Sequence, residues 1–143
     1  MILFDTNILV YVHNKASPNH LKAFQLESKV LNGELAAAVS AQNLLEFYAT
    51  VTNPAKMVRP LPVEEANKII KDYLRSPFQI IYPKSGDLEK AFELATRTKA
   101  ISRKIFDVFL VATMLSNGVG TIYTQNEKDF RIFNEIRVVN PFE

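Results

Sequence analysis

The stretch from Ile105 to Leu115, IFDVFLVATML, is almost entirely apolar but contains one carboxylate, Asp107, near its start. If the stretch forms one helix, its apolar side chains spread over all sides, which is typical of a buried helix. An unpaired charge in a protein core costs on the order of several kcal/mol. Three arrangements would relieve that cost: the N-terminus of a helix, a cationic partner, or a bound metal ion. We favour the metal ion, assisted by the helix N-terminus.

The composition is that of an ordinary globular chain. Of the 143 residues, 48% are hydrophobic and 22% are charged, values that argue against a disordered or a membrane protein. The length predicts a single domain over residues 1–143. No apolar run reaches the ~18 residues of a membrane-spanning helix, and Asp5 interrupts the apolar N-terminus, unlike a signal peptide. We therefore expect a cytoplasmic protein without a membrane partner.

The side chains that are available to bind a metal are restricted to oxygen donors. The sequence has no cysteine and only two histidines, His13 and His20, which excludes a disulfide framework and a thiolate zinc site. The net charge of +2 does not by itself indicate a nucleic-acid-binding protein. Basic residues are nevertheless concentrated just before Asp107, including Arg103 and Lys104. They form either a solvated face or part of a binding site.

Strand and helix signals alternate along the chain. Short apolar strands are predicted at residues 1–4, 35–39, 78–82, 121–124 and 136–139. The predicted helices cover 8–13, 17–31, 41–51, 63–74, 87–99 and the stretch around Asp107. Ser17 and Ser40 are predicted N-caps, residues 55–62 an ordered loop, and residues 125–129 a tight turn. The alternation predicts an α/β fold with a mostly parallel sheet.

Acidic residues recur at strand ends and in the first turns of apolar helices. Asp5 follows the first predicted strand, Glu46 and Asp107 lie in apolar helices, and either Asn126 or Asp129 follows the fourth strand. In open parallel sheets, ligands bind outside the carboxyl ends of the strands. Because these residues are tens of positions apart, only the fold can bring them together.

Each acid taken alone also has a structural explanation. Asp5 is placed to cap the following helix, and Glu46 fits a polar stripe. Asp107 fits an ion pair with Arg103 one turn earlier, and Asp129 fits a turn. These separate explanations become less convincing if the fold brings the acids together. Carboxylates ~4 Å apart repel by roughly 4 kcal/mol per pair at an effective dielectric constant of about 20, so such a cluster requires a stabilising partner.

A hard divalent cation reverses the sign of that interaction. Oxygen ligands without histidine or cysteine select Mg²⁺ or Mn²⁺ over zinc. Such an ion polarises a phosphoryl oxygen, lowers the pKa of a bound water and stabilises a leaving oxygen. The implied reaction is phosphodiester hydrolysis.

Four motifs resemble the PIN-domain ribonucleases, in particular the VapC toxins of toxin–antitoxin pairs. They occur in the family's order over nearly the whole chain: FDTN at 4–7, NLLEFYATVTNP at 43–54, IFDVFLVATMLSNGV at 105–119 and IYTQNEKDF at 122–130. The resemblance implies a three-layer α/β/α sandwich with a central parallel sheet and a Mg²⁺- or Mn²⁺-dependent endoribonuclease that cleaves cellular RNA. It also implies a homodimer that is inhibited by a cognate VapB-like antitoxin.

The resemblance assigns the metal-binding and catalytic roles to acidic residues. The family's metal ligands match Asp5, Glu46 and Asp107. The fourth acidic position departs from the family pattern, because Asn126 fills the motif's polar slot and Asp129 follows three residues later. We include Asp129 in the catalytic set and keep Asn126 as an alternative that would favour a weaker or single metal.

The resemblance also implies roles for neighbouring polar and basic residues. Thr6 and Thr124 would supply hydroxyls to the pocket, and Asn7 would orient a carboxylate. Arg103 and Lys104 would contact RNA phosphates, which adds salt-dependent affinity rather than sequence choice.

The sequence is also compatible with two other functions. A structure-specific DNA nuclease usually needs a long arch over its site, and the chain offers only the loop at 55–62. A non-catalytic binding domain is supported by Asn126 but opposed by the three matching acids. The helices at 17–31 and 63–74 also carry more apolar residues than a thin core requires, which fits a dimer seam or an antitoxin groove: Leu21, Phe24, Leu31, Ile69, Ile70, Tyr73 and Leu74.

Overall fold

The computed structural model describes residues 1–143 and contains one five-stranded sheet. Its strands are β1 (Ile2–Phe4), β2 (Ala37–Ser40), β3 (Gln79–Ile81), β4 (Thr121–Tyr123) and β5 (Arg137–Val139). The spatial order is β3-β2-β1-β4-β5, and every neighbouring pair runs parallel. The predicted α/β class is confirmed, and the sheet is wholly rather than mostly parallel.

Seven helices cover the two faces of the sheet. They are α1 (Thr6–Val12), α2 (His20–Leu31), α3 (Ala41–Val51), α4 (Val63–Leu74), α5 (Asp87–Thr98), α6 (Lys104–Ser116) and α7 (Glu127–Phe130). Helices α1 to α4 contribute to one hydrophobic cluster, and α5 to α7 contribute to the other. The result is the expected three-layer α/β/α sandwich. None of these helices has the length and apolar character that crossing a bilayer requires.

The central strands are buried on both faces, as expected of a parallel sheet between two helical layers. In β1, Leu3 packs into the cluster on the α5 and α6 side, whereas Phe4 packs into the cluster on the α1 to α4 side. In β2, Ala38 and Val39 divide in the same way. The alternation fixes the register of these strands, because a shift by one residue would exchange the two faces.

The start of α3 is a reciprocal capping box. The Ser40 hydroxyl accepts from the backbone N–H of Asn43 at 3.0 Å, and the Asn43 side chain accepts from the backbone N–H of Ser40 at 3.0 Å. The predicted bounds of α3 are confirmed. By contrast, α2 begins at His20 rather than at residue 17. The Ser17 hydroxyl accepts from Asn19 N–H at 3.1 Å, so it stabilises a local turn instead of capping the helix.

Two expectations about the C-terminal half are wrong. The tight turn predicted at 125–129 contains the short helix α7, whose last residue, Phe130, is buried in the core. Helix α6 is not buried on all sides, since Phe106 in its first turn is 53% exposed. Only the later turns of α6 pack fully against the sheet, which leaves its N-terminal turn beside solvent.

The capping box gives a direct test of the helix boundaries. Ser40→Ala removes the hydroxyl bonded to Asn43, and we expect the free energy of unfolding to fall by about 1 kcal/mol. Ser17→Ala removes only a turn contact and should cost less than about 0.5 kcal/mol. Urea unfolding of both variants measures the difference. Equal losses would contradict the assigned helix starts.

Candidate active site

The candidate site lies where the strand order of the sheet reverses. The chain proceeds from β1 to β2 on one side, whereas β4 pairs with the other side of β1. The carboxyl ends of β1 and β4 are therefore adjacent, with Phe4 opposite Tyr123. Open parallel sheets bind ligands in the crevice at such a point. The residues that directly follow these two strands, Asp5 and Thr124, both belong to the site.

Asp5 is buried and accepts hydrogen bonds on both carboxylate oxygens. Its Oδ1 accepts from the backbone N–H of Thr6 at 2.8 Å, which caps α1. Its Oδ2 accepts from the Thr124 hydroxyl at 2.7 Å and from the Asn7 amide at 3.3 Å. Helix capping, the structural explanation for Asp5, therefore does occur. It involves only one of the two oxygens, and Asp5 also lines the cavity described below.

Glu46, in α3, is oriented by side chains from two elements. Thr6 Oγ1 donates to Glu46 Oε2 at 3.0 Å, and Gln42 Nε2 donates to Glu46 Oε1 at 2.7 Å. The Thr6 hydroxyl in turn accepts from Asn43 Nδ2 at 3.1 Å, and Asn43 is fully buried. These bonds tie the start of α1 to the first turns of α3. They hold Glu46 half-buried inside the molecule rather than on a solvated stripe.

Asp107 and Asp129 have no cationic partner. Asp107 lies in the first turn of α6, and Asp129 lies in α7. Neither belongs to an ion pair, since the chain's three pairs are Lys90–Glu93, Arg97–Glu135 and Arg131–Glu127. The pair between Asp107 and Arg103 that the sequence allowed does not form. Ion pairing therefore does not explain either carboxylate.

The four acids line one cavity of about 340 Å³, which we call the acidic cavity: Asp5, Glu46, Asp107 and Asp129. Asn126 also lines it but is exposed, and its backbone N–H donates to Thr124 Oγ1 at 3.0 Å. Of the two candidates for the fourth position, Asp129 is the one whose charge acts on Asp5 and on Asp107.

The predicted RNA-contacting residues lie next to the acids. A larger cleft of about 640 Å³, the outer cleft, shares Glu46, Asp107 and Asp129 with the acidic cavity and is also lined by Arg103 and Lys104. A further basic residue, Lys56 of the loop after α3, lines both. Positive charge therefore surrounds the acids without forming ion pairs with them.

Burial and mutual repulsion make two of the carboxyl groups weak acids. Burial raises the pKa of Asp107 to about 7, with further contributions from the charges of Asp129, Asp5 and Glu46, and Lys104 opposes the shift. Burial likewise raises the pKa of Asp5 to about 6, although the hydrogen bonds from Thr124 and Thr6 act in the opposite direction. The ionised site is therefore electrostatically unfavourable on its own, which is the situation that a bound cation relieves.

The donor set suits a hard divalent ion. The cavity offers carboxylate and hydroxyl oxygens and no sulfur or imidazole ligand, which are the ligands that Mg²⁺ and Mn²⁺ prefer. No three acidic or histidine side chains are preassembled as a coordination shell. The arrangement fits an ion that keeps several waters and takes only part of its coordination shell from the protein's carboxylates.

Sequence reasoning did not find Gln42 and Asn43. Asn43 stands three residues after the cap Ser40, the spacing of a capping box, so its burial was detectable in principle. Gln42 precedes Glu46 by four residues, which places the two side chains on one face of a helix. Its amide also donates to the backbone carbonyl of Phe106 at 2.9 Å. Gln42 therefore connects α3 to the first turn of α6.

Comparison with known proteins identifies the family of the chain. Residues 2–136 match the model of the PIN domain family. The ribonuclease VapC24 of Mycobacterium tuberculosis is 30% identical over 143 residues, which cover 99% of this chain and 97% of that protein.

Two solved structures have the same fold. VapBC2 of Rickettsia felis, bound to a promoter DNA fragment, matches with a TM-score of 0.69 and 22% identity, covering 98% of each chain. VapC20 of Mycobacterium tuberculosis, described as a Sarcin-Ricin loop cleaving toxin, matches with a TM-score of 0.70 and 17% identity, covering 96% of this chain and 99% of that one. At these identities, the matches show the fold.

Because the pKa of Asp107 is raised, we expect that removing its charge stabilises the folded protein at high pH. Its pKa in the folded protein lies above its unfolded value, so this group stabilises the fold at low pH and loses that contribution as the pH rises through about 7. In EDTA at pH 8, we expect Asp107→Asn to raise the free energy of unfolding by roughly 1 kcal/mol, a value reduced for solvent screening of a half-exposed group.

Asp72→Asn, on the exposed face of α4, is the matched control and should change stability by less than about 0.5 kcal/mol. Urea unfolding at pH 5 and pH 8 measures both variants. The gain from Asp107→Asn should shrink at pH 5, where the native carboxyl holds a proton. A variant less stable than the native protein at pH 8 would contradict the repulsion described here.

Proposed function

Since the chain belongs to the PIN domain family, we propose that it is a metal-dependent endoribonuclease of the VapC toxin type. It cleaves cellular RNA by phosphodiester hydrolysis, within a single domain that spans residues 1–143. One observation carries the proposal: four carboxylates from four separate elements line one cavity and none has a cationic partner. The resemblance of the chain to named ribonucleases along its whole length supports the choice of RNA as substrate.

Asp5, Glu46 and Asp107 are the proposed ligands of Mg²⁺ or Mn²⁺, with Asp129 as the fourth acid of the catalytic set. The oxygen-only donor set and the raised pKa values of Asp5 and Asp107 support this assignment. When bound, such an ion polarises a phosphoryl oxygen and lowers the pKa of a water molecule. Asn126 takes a supporting place at the edge of the cavity.

The remaining polar residues position the ligands and the substrate. Thr6 holds Glu46, and Thr124 and Asn7 hold Asp5, through the hydrogen bonds described above. Pre-positioned ligands bind a metal without first paying for side-chain ordering. Arg103 and Lys104 line the outer cleft beside the acids, where they would contact the phosphates of an RNA strand.

We also propose that the chain forms a homodimer and pairs with a VapB-like antitoxin in the cytoplasm. A structural relative supports the pairing, because a protein of this fold from Klebsiella pneumoniae was solved as a toxin–antitoxin complex. The apolar surface expected on two helices is present in part. Tyr73 is buried in the core, whereas four residues of α2 and α4 are about half exposed or more: Leu21, Phe24, Leu31 and Leu74.

Loss of one carboxylate should separate activity from folding. We expect Asp107→Asn to reduce Mg²⁺-dependent RNA cleavage by at least roughly 100-fold, because a metal ligand is lost, while the variant remains folded. Asp72→Asn should cleave at the native rate. The measurement is a cleavage assay with single-stranded RNA, tRNA and flap DNA. Undiminished RNA cleavage by Asp107→Asn would overturn the assignment, and cleavage of flap DNA alone would indicate a DNA nuclease.

Metal binding should also be visible without activity. At a Mn²⁺ concentration of about 100 times the dissociation constant, binding stabilises the native state by roughly 2.7 kcal/mol. We therefore expect Mn²⁺ to raise the melting temperature of the native protein by several degrees and that of Asp107→Asn by clearly less. Thermal unfolding with and without EDTA measures both. An unchanged native melting temperature would favour a non-catalytic binding domain.

A further inference from the structure

A second, smaller cavity adjoins the acids on the side of α7. It has a volume of about 210 Å³ and lies between the α5–α6 loop and α7; we call it the small cavity. It shares three residues with the outer cleft, Lys104, Asp107 and Asp129. The two unpaired carboxylates therefore form part of the wall of both spaces. If a phosphate of a nucleic-acid strand lay at these acids, the strand would extend into the outer cleft in one direction and towards the small cavity in the other.

The small cavity combines an apolar lining with basic residues. Val108 and Phe133 are buried, while Ile101 and Ile132 are 76% and 53% exposed. Large aliphatic side chains that remain exposed in a cavity gain free energy when a ligand covers them. Lys99 and Lys128 also line it, and neither belongs to an ion pair.

The end of α5 determines the backbone conformation beside the small cavity. Lys99 and Ser102 are the only residues other than glycine with positive φ, both at 56°. Glycine adopts this conformation without steric cost, whereas a lysine does not. Lys99 is the C-cap of α5, and its left-handed conformation ends that helix. The end of α5 thus places Lys99 in the wall of the small cavity.

Size and chemistry together indicate the ligand. The volume lies below the roughly 300 Å³ at which pockets for drug-sized ligands begin, so the cavity suits one planar heterocycle rather than a stacked duplex. RNA-binding proteins commonly take up single bases that are splayed out of the strand.

Resting on the ribonuclease function proposed above, we propose that the small cavity binds the nucleobase adjacent to the scissile phosphate. In this arrangement, Ile101 and Ile132 contact the faces of the base, and Lys99 and Lys128 contact the next phosphate of the strand. The protein thus requires an unpaired nucleotide at one defined position beside the cleavage site.

The test combines substrates that lack one base with variants of the cavity. A single-stranded RNA that the native protein cleaves at one site is synthesised with an abasic nucleotide at each position in turn. We expect one position beside the scissile bond to lower the native kcat/KM by about tenfold, because the apolar contact between the base and the isoleucine side chains is lost. Ile132→Ala should lower kcat/KM for the intact RNA by a similar factor, and the two losses should not add when combined.

The proposed phosphate contact of Lys99 is tested by a substitution that is compatible with the positive φ of this residue. Lys99→Gly fits the positive φ, so its melting temperature should equal or exceed that of the native protein. Its RNA affinity should fall, and the slope of log affinity against log salt concentration should become shallower by about 0.7. The matched controls are Val63→Ala and Lys68→Ala, at exposed positions of α4. Both controls should retain native cleavage and salt dependence.

The outcomes separate this inference from the proposed function. If the native protein cleaves no RNA, the proposed function fails and the base-binding cavity fails with it. If the native protein cleaves RNA but no abasic position matters, or the abasic and Ile132→Ala losses simply add, the cavity is not a base site and the ribonuclease function stands. An unchanged salt slope in Lys99→Gly would overturn the assigned phosphate contact.

Discussion

Repulsion among carboxylates that line one cavity, of which one is buried and three are partly buried, is the constraint on which the rest of this structure depends. Asp5, Glu46, Asp107 and Asp129 line one cavity at the carboxyl edge of the sheet, and none is neutralised by a lysine or an arginine. Protons or a divalent cation can relieve the repulsion, and the raised pKa of Asp107, about 7, shows the first of these. The metal-free fold must tolerate this cost. A parallel sheet buried on both faces supplies the necessary stability.

A network of hydrogen bonds, in which every buried polar side-chain atom has a partner, connects the site to the core of the fold. Asn43 is locked to the cap of α3 and donates to Thr6, and Thr6 donates to Glu46. On the other side, Thr124 at the end of β4 donates to Asp5. No buried side-chain nitrogen or oxygen atom lacks a hydrogen-bond partner. A satisfied network in a low-dielectric interior is rigid, so segments that are far apart in the chain hold their carboxylates in fixed relative positions.

Helix boundaries could be predicted from the sequence where a capping residue had only one helix to cap. The bounds of α3 followed from Ser40, whose hydroxyl had one helix to cap. Ser17 is an equally suitable N-cap residue, but its hydroxyl accepts a hydrogen bond within a local turn. The sequence alone does not show which backbone N–H will donate to a given hydroxyl. Helix α7 has only four residues, and its last residue, Phe130, is buried. A segment this short has no hydrophobic periodicity from which a helix could be predicted. For the same reason, the choice between Asn126 and Asp129 required the structure: it depends on how α7 turns.

The four acids differ in how firmly they are held, and this difference bears on how the site would take up an ion. Both oxygens of Asp5 and of Glu46 accept hydrogen bonds, so these two carboxylates define a fixed corner of the cavity. Asp107 and Asp129 have no ion-pair partner that an approaching cation would have to displace. The hydrogen bonds therefore fix two of the four acids, and the four are not preassembled as a complete coordination shell. Because Asp107 and Asp129 also line the small cavity, the same two carboxylates border both the proposed metal site and the space proposed for the base.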